Sequence, residues 1–166
     1  MNRLPAPGPA AADCPTPDRV RFWTNWLQIA SVFFGLKAVF WVFIGNFDPF
    51  GLYTGLLARA FWETDALPPD AARTFAFMVV PLGATTAGYF ILVFFIVRYV
   101  FPRRERWAWT AVTAALLTWF LLDSIFSWRH GAFFNIVLVN ITCLLVMGAP
   151  LAALWRWFFR PPVDRV

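Results

Sequence analysis

The chain has few charged residues and few of the side chains that usually carry chemistry. Only 14% of its 166 residues are charged, whereas about a quarter are charged in a typical soluble domain. It contains one lysine, one histidine and two cysteines. Cys14 lies in a proline-rich tail and Cys143 in an apolar run, so we expect no disulfide between them. His130 has no second histidine to join it, which argues against a haem or metal site.

Nucleotide-binding, zinc-protease and thiol-redox motifs are absent too: the sequence has no P-loop, GxGxxG, HExxH or CxxC pattern. Asp123, Ser124 and His130 match a hydrolase triad by residue type. The first two are adjacent on a predicted helix, however, and His130 follows in the turn beyond it, so no triad geometry is implied. We therefore predict no cofactor, no metal and no catalytic residue, and the sequence favours a protein that is not an enzyme.

Apolar residues, in contrast, are abundant: 60% of the chain is hydrophobic and the mean hydropathy is +0.62. A chain this short cannot bury so much apolar surface in one aqueous core, so lipid must cover part of it. Four apolar segments, at about 22–44, 75–97, 107–126 and 132–155, reach the roughly 20 residues that a spanning helix needs. Backbone groups in lipid find partners only within such helices. The sequence predicts an all-α integral membrane four-helix bundle.

This bundle is predicted to be a single domain, residues 19–160. Residues 1–18 are predicted to form a disordered cytoplasmic tail rich in proline and alanine, and residues 161–166 a C-terminal tail. Residues 46–74 form the one long connection, predicted to be external. Leu52, Leu56 and Phe61 lie there near helical spacing. The segment is therefore either a short helix on the outer membrane surface or an apolar loop packed on the bundle.

Arginine is distributed unequally between the two ends of the predicted bundle. One end has ten, the other has three, and acidic residues accompany the three. The ten are Arg3, Arg19, Arg21, Arg98, Arg103, Arg104, Arg106, Arg156, Arg160 and Arg165, and the three are Arg59, Arg73 and Arg129. This bias predicts both termini in the cytoplasm. The net charge of +5 is then explained by topology and lipid headgroups rather than by nucleic acid. Arginine, alanine and proline usage suggests a GC-rich bacterial genome.

Polar residues inside the predicted spans concentrate in the outer half of the membrane. They are Lys37, Thr85, Thr86, Asp123, Asn135 and Asn140. Because an unpaired charge in lipid is costly, we predict that Lys37 and Asp123 form an ion pair, directly or through one water, and that Asn140 hydrogen-bonds the same group. Asn135 and Asn140 are about 140° apart around an α-helix, so we expect them on different faces. The set is either structural or a site for a ligand, a lipid or a proton.

The second predicted span contains two pairs of small residues at four-residue spacing. Gly83 is paired with Ala87, and Ala84 with Gly88. Small side chains at this spacing allow two membrane helices to approach closely. We therefore predict a helix-packing face at these four positions.

Asp123-Ser124, followed by Gly131, Asn135 and Asn140, resembles a pattern in small four-helix bacterial inner-membrane proteins of unknown function that are similar in layout to the DoxX-like group. The resemblance covers the start of the first span, WLQIASVFFGLKAVFW, and residues 118–150. It implies a compact helical bundle in an inner membrane, sometimes encoded near redox or stress functions. It assigns no catalytic residue.

Three functions are open from the sequence. The first is a non-enzymatic accessory or interaction protein, whose polar residues stabilise the outer half of the bundle or hold a lipid headgroup. The second is a transporter or a binding protein for a lipid or small molecule, with an outward-facing polar site. The third is a membrane enzyme. The expected partners are membrane lipid and either a second copy of the chain or another membrane protein.

Overall fold

The computed structural model describes residues 15–44, 48 and 50–160, and its secondary structure is helical, with no strand in that part of the chain. The helices are α1, Pro17–Ile44; α2, Leu52–Trp62; α3, Pro69–Phe95; α4, Arg106–Arg129; α5, Phe133–Asn135; and α6, Thr142–Phe159. A π-helical segment, Ile96–Val100, and a 3-10 turn, Phe101–Arg103, extend α3. A second π-helical segment, Ile136–Ile141, joins α5 to α6. Residues 1–14 and 161–166 of the predicted tails lie outside the described residues.

Four stretches of helix are long and apolar enough to cross a membrane. They are Pro17–Ile44, Pro69–Arg103, Arg106–Arg129 and Phe133–Phe159, and the last is called the fourth spanning helix below. The prediction of an all-helical chain with four candidate spans is therefore confirmed. α1 and α3 form the largest helix contact, and α6 packs on both α1 and α4.

Two helices begin earlier than their apolar runs predict. α1 begins at Pro17 rather than near residue 22, and α3 begins at Pro69 rather than residue 75. In both cases proline is followed by an aspartate, Asp18 or Asp70, in the first turn. Proline suits the first turn because its missing N–H would be unpaired there anyway, and the carboxylate faces the positive end of the helix dipole. A proline and an aspartate in the first turn thus allow each helix to begin before its apolar part.

The long connection contains a helix, α2, so the helix predicted as one of the two alternatives is present, while its position on the outer membrane surface stays a prediction. Asp48 caps the start of α2, since its Oδ2 accepts hydrogen bonds from the Thr54 backbone N–H at 2.8 Å and the Thr54 hydroxyl at 2.9 Å. Desolvation acts to raise the pKa of the Asp48 carboxyl. Hydrogen bonds from Thr54, Leu52 and Tyr53 outweigh that effect and hold the pKa below its usual value.

The start of α1, residues 101–106 and the end of α6 form the arginine-rich end of the bundle. The apolar core occupies the half of the bundle nearest this end. Its largest fully buried apolar members are Leu27, Val93, Val97, Met147, Leu151 and Leu154. At this end Arg104 Nε donates to the carbonyl oxygen of Trp157 at 2.9 Å, and its Nη2 donates to that of Arg160 at 2.9 Å. These bonds provide donors for carbonyl groups at the end of α6, where the helix has no further N–H to offer.

A tryptophan joins α1 to α6 at a proline. Pro150 lies inside α6 and has no N–H, so the Val146 carbonyl lacks the usual donor from its own helix. Trp26 Nε1 donates to this carbonyl at 2.9 Å. The indole therefore satisfies a backbone group that proline leaves open.

We expect Trp26→Phe to lower the free energy of unfolding by about 1 kcal/mol, because the Val146 carbonyl loses its donor while most of the aromatic packing is kept. Equilibrium unfolding of the purified protein in mixed micelles measures the change. Trp107→Phe is the control, since Trp107 is exposed at the same end and makes no described hydrogen bond. Equal losses in the two variants would contradict the assignment.

Candidate functional site: a carboxylate bound by two amides

Polar side chains meet where α4 passes the beginning of the fourth spanning helix. Asp123 Oδ2 accepts hydrogen bonds from Asn140 Nδ2 at 2.6 Å and from Asn135 Nδ2 at 2.8 Å. Asn140 Nδ2 also donates to Ser124 Oγ at 3.0 Å, and Asn135 Nδ2 to Ser127 Oγ at 2.9 Å. We call these five side chains, together with Tyr53, the polar cluster. Direct bonds, rather than long contacts, hold it together.

One face of α4 supplies three members of the cluster. Asp123 and Ser127 are four residues apart and therefore lie one turn apart on the same side of the helix, with Ser124 beside them. Ser127 is only 6% exposed, whereas Asp123 and Ser124 are half-buried. The carboxylate thus lies at the edge of the packed region rather than at its centre.

The π-helical segment Ile136–Ile141 brings the two asparagines together. The expectation that Asn135 and Asn140 occupy different faces is wrong, because both donate to the same oxygen of Asp123. In an α-helix residues four apart align, but a π-helix bonds residue i to residue i+5. Residues five apart therefore lie one above the other in this segment. The π-helical backbone therefore allows the amides of both Asn135 and Asn140 to donate hydrogen bonds to Asp123 Oδ2.

Tyr53 connects α2 to the cluster. Its hydroxyl donates to Asn135 Oδ1 at 3.2 Å, and its ring packs against Phe75 and, edge to face, against Phe134. Burial, and then the charge of Asp123, raise the pKa of Tyr53 above its usual value. The hydroxyl, which is neutral at neutral pH even without this shift, donates the hydrogen bond that ties α2 to the end of the bundle.

Asn140 is the most deeply placed member of the cluster. It is 0% exposed, and although its Nδ2 makes two hydrogen bonds, its Oδ1 is buried without a partner. The prediction that Asn140 hydrogen-bonds Asp123 is confirmed. A buried acceptor without a donor is unusual and costs free energy.

Lys37 does not join the cluster. Among the residues that the structure describes, the ion pairs within 4 Å are Arg21–Asp18 and Arg59–Asp65, so the predicted direct pair of Lys37 with Asp123 is wrong. Lys37 Nζ lies 5.0 Å from the ring centre of Trp41, one turn further along α1. The physical reason is that the two asparagines already supply donors to Asp123, while a tryptophan face attracts the ammonium group.

The remaining predicted residues lie on α3. Thr85 is exposed, and its hydroxyl donates to the Pro81 carbonyl of its own helix at 2.8 Å; Thr86 is half-buried. No described hydrogen bond joins either threonine to the cluster. Among the small residues, Gly83 and Ala87 are buried, whereas Ala84 and Gly88 are exposed. Only the first of the two predicted pairs is buried within the chain.

Sequence reasoning missed two members of the cluster. Ser127 had a usable signal, since it lies four residues after Asp123 and must share its side of α4. Tyr53 had no such signal, because it lies 82 positions from Asn135 along the chain. It is in a long connection whose position relative to the helices the sequence does not predict. The described residues contain no group of three histidine, cysteine, aspartate or glutamate side chains suited to a metal ion.

No protein-family model, no curated protein and no solved structure matches the chain. The class is therefore defined by the fold alone: an all-helical protein with four helices able to span a membrane. The polar cluster at one end of the bundle is its most distinctive chemical feature.

Proposed function

We propose that the chain is a small multi-pass protein of a bacterial inner membrane that acts as an accessory or interaction protein rather than as an enzyme. The observation that carries this proposal is that the polar groups bind one another directly, through five side-chain hydrogen bonds. Two of these bonds end on Asp123 Oδ2, so the donors to this oxygen are amides of the protein itself. The arrangement fits a structural role, in which the polar cluster fastens α2, α4 and the fourth spanning helix to one another, better than a catalytic centre.

The polar cluster holds α2 in place through the hydrogen bond from Tyr53 to Asn135. α2 in turn presents the surface that a partner protein would contact. Apolar side chains in α2 and in the turn before it are exposed: Phe50 is 93% exposed, Leu52 61%, Phe61 45% and Trp62 43%. An exposed apolar surface at one end of a membrane bundle can lie against the lipid headgroup region or bind another membrane protein. We propose that this surface contacts a membrane partner, with surrounding lipid as its other neighbour.

The arginine bias supports an orientation in which both termini face the cytoplasm and α2 faces outward. Single cysteines introduced at Thr64 and at Arg103, in a background lacking the native cysteines, test this orientation. We expect a membrane-impermeant maleimide to label the first in intact spheroplasts and the second only after lysis. The reverse pattern would contradict the orientation.

Photo-crosslinking in living cells tests the interaction. A photoreactive residue at Phe61 is expected to give an adduct of discrete mass with a protein, whereas the same residue at Ala58, which is 0% exposed, is expected to give none. Tyr53→Phe should weaken the Phe61 adduct, because it removes the bond between α2 and Asn135. Adducts with lipid alone, or turnover of a substrate that Asp123→Asn abolishes, would overturn the proposed role.

A further inference from the structure

We propose that a second copy of the chain completes the polar cluster: Lys37 of each copy pairs with Asp123 of the other in a dimer with twofold symmetry. The exposed face of the fourth spanning helix lies at the centre of this dimer interface. The proposal goes beyond the accessory role and involves neither α2 nor a partner that binds α2.

Each chain leaves one positive and one negative charge without an ion pair inside helices able to span a membrane. Asp123 accepts its hydrogen bonds from amides, which are neutral and leave the carboxylate charge uncompensated. Lys37 is exposed, and its Nζ contacts only the face of Trp41. Neither group belongs to the ion pairs of the described residues. Because charges within membrane helices are costly and usually pair with one another, both groups need a partner from outside the chain.

The two charged groups lie on either flank of the fourth spanning helix. Asp123 reaches this helix from α4 through its two amide bonds. Lys37 lies eleven residues after Trp26, which is about three turns of α-helix, so both are on the same side of α1. That side faces α6, because Trp26 Nε1 donates to the Val146 carbonyl. The apolar residues that the outer half of the fourth spanning helix leaves exposed include Val137, Leu138, Ile141 and Leu145.

A twofold axis along the membrane normal would bring the opposite charges together. Such an axis leaves depth unchanged and exchanges the two flanks, so α1 of one copy lies opposite α4 of the other. Lys37 lies seven residues before Ile44, the end of α1, and Asp123 lies six residues before Arg129, the end of α4. At about 1.5 Å per residue, the two groups are about 10 Å and about 9 Å from the same end of the bundle. Their depths therefore match, and the interface holds two equivalent ion pairs.

A second copy fits this face better than another occupant because it supplies both charges together. A lipid or a different protein would have to offer an anion to Lys37 and a cation to Asp123 at one depth, whereas another copy of this chain carries both. Asp123 also has an oxygen available for the pair. Its described hydrogen bonds end on Oδ2, so Oδ1 can accept from the ammonium group without displacing either amide.

Mixing two neutralised variants of the purified full-length protein in liposomes tests the dimer. Lys37→Met and Asp123→Asn are labelled with different fluorophores, and energy transfer measures how often they associate. A dimer of either variant alone leaves two charges unpaired, whereas a mixed dimer keeps one Lys37–Asp123 pair and has no unpaired charge. We expect the ratio of mixed to unmixed dimers to rise about tenfold above its statistical value, since close charge pairs change affinity by at least that factor.

The matched control for this experiment mixes Lys37→Met with Asp70→Asn. Asp70 is an exposed carboxylate at the same end of the bundle, and this change leaves both members of the proposed pair intact. The number of unpaired charges then does not depend on how the two variants mix, so we expect the statistical ratio.

Disulfide crosslinking in membranes measures the same interface without a change at either charge. Leu145→Cys, in a background lacking the native cysteines, should give a covalent dimer of the chain, because Leu145 is 63% exposed on the proposed interface. Ile91→Cys is the matched control, since Ile91 is 54% exposed but lies on α3, and it should give none. If Asp123→Asn does not fold, this comparison decides the test.

Protein that stays monomeric at every concentration, or statistical mixing of Lys37→Met with Asp123→Asn, would overturn the proposal. Equal crosslinking from Leu145→Cys and Ile91→Cys, or a crosslink from Leu145→Cys to a different protein alone, would overturn it too. None of these results bears on the adducts from Phe61, because the interface leaves α2 out. The two proposals therefore fail separately.

Discussion

Gly83→Ala is expected to destabilise the protein by about 1–3 kcal/mol, the usual cost of forcing extra atoms into a packed interior. A Cβ at Gly83 would lie 2.9 Å from the Ala38 carbonyl oxygen and 2.9 Å from Val42 Cγ2, both on α1. The Val42 methyl group can turn away, but the Ala38 carbonyl belongs to the helix backbone and cannot. The largest helix contact of the bundle would therefore have to open.

Gly88→Ala provides the matched control for this prediction. Gly88 lies five residues further along the same helix, and nothing lies within 4 Å of the position its Cβ would take. Alanine is the better helix former by up to about 1 kcal/mol, so this variant should be neutral or slightly more stable. Equilibrium unfolding in mixed micelles measures both variants. Similar destabilisation in the two would show that backbone preference, rather than the contact with α1, governs the glycines.

Deletion of Val137 is expected to be tolerated far better than deletion of Leu145. Both residues are exposed, at 59% and 63%, and both lie in the fourth spanning helix. Val137 lies inside the π-helical segment Ile136–Ile141. Its removal leaves Asn135 and Asn140 four positions apart in an α-helix, so they still align on one side, and the bonds to Asp123 can form again.

Deletion of Leu145, in contrast, falls within regular α-helix. It turns the remainder of α6 by about 100° relative to the preceding part. Met147, Leu151 and Leu154, which are 2% exposed or less, would leave the core, at about 2–5 kcal/mol for a single lost large side chain. We expect this variant to lose its folded peak in size-exclusion chromatography, while the Val137 deletion keeps it. Loss of the fold in both would contradict the role assigned to the π-helical segment.

The four helices that are able to span a membrane could be predicted from the sequence because they depend on composition and length. Apolar runs of 20 residues or more admit few structures other than helices in lipid, and the four runs each correspond to a helix. The starts of α1 and α3 are predicted less accurately, because the length of an apolar run does not include the proline and aspartate that begin each helix. The helix in the long connection was foreseen as one alternative from the spacing of Leu52, Leu56 and Phe61.

The polar cluster could be predicted only in part. The sequence places Asp123, Asn135 and Asn140 in one helical hairpin, so we expect contact between them from proximity alone. It could not show that Lys37 would lie over Trp41 instead of pairing with Asp123. Two charges at similar depth form a pair only if their helices face each other, and that depends on helix rotation rather than on depth.

The sequence by itself determined that the chain is helical, that four segments can span a membrane, and that most arginines lie at one end. These properties follow from the transfer of side chains and backbone into lipid, which is additive along the chain. Only the tertiary structure decided which polar groups meet. A π-helical segment puts two asparagines on one carboxylate oxygen, and Tyr53 arrives there from a distant connection. The reason is that a hydrogen bond forms only when donor and acceptor lie about 3 Å apart. This distance depends on how each helix is rotated about its axis, which the spacing of residues along the chain does not determine.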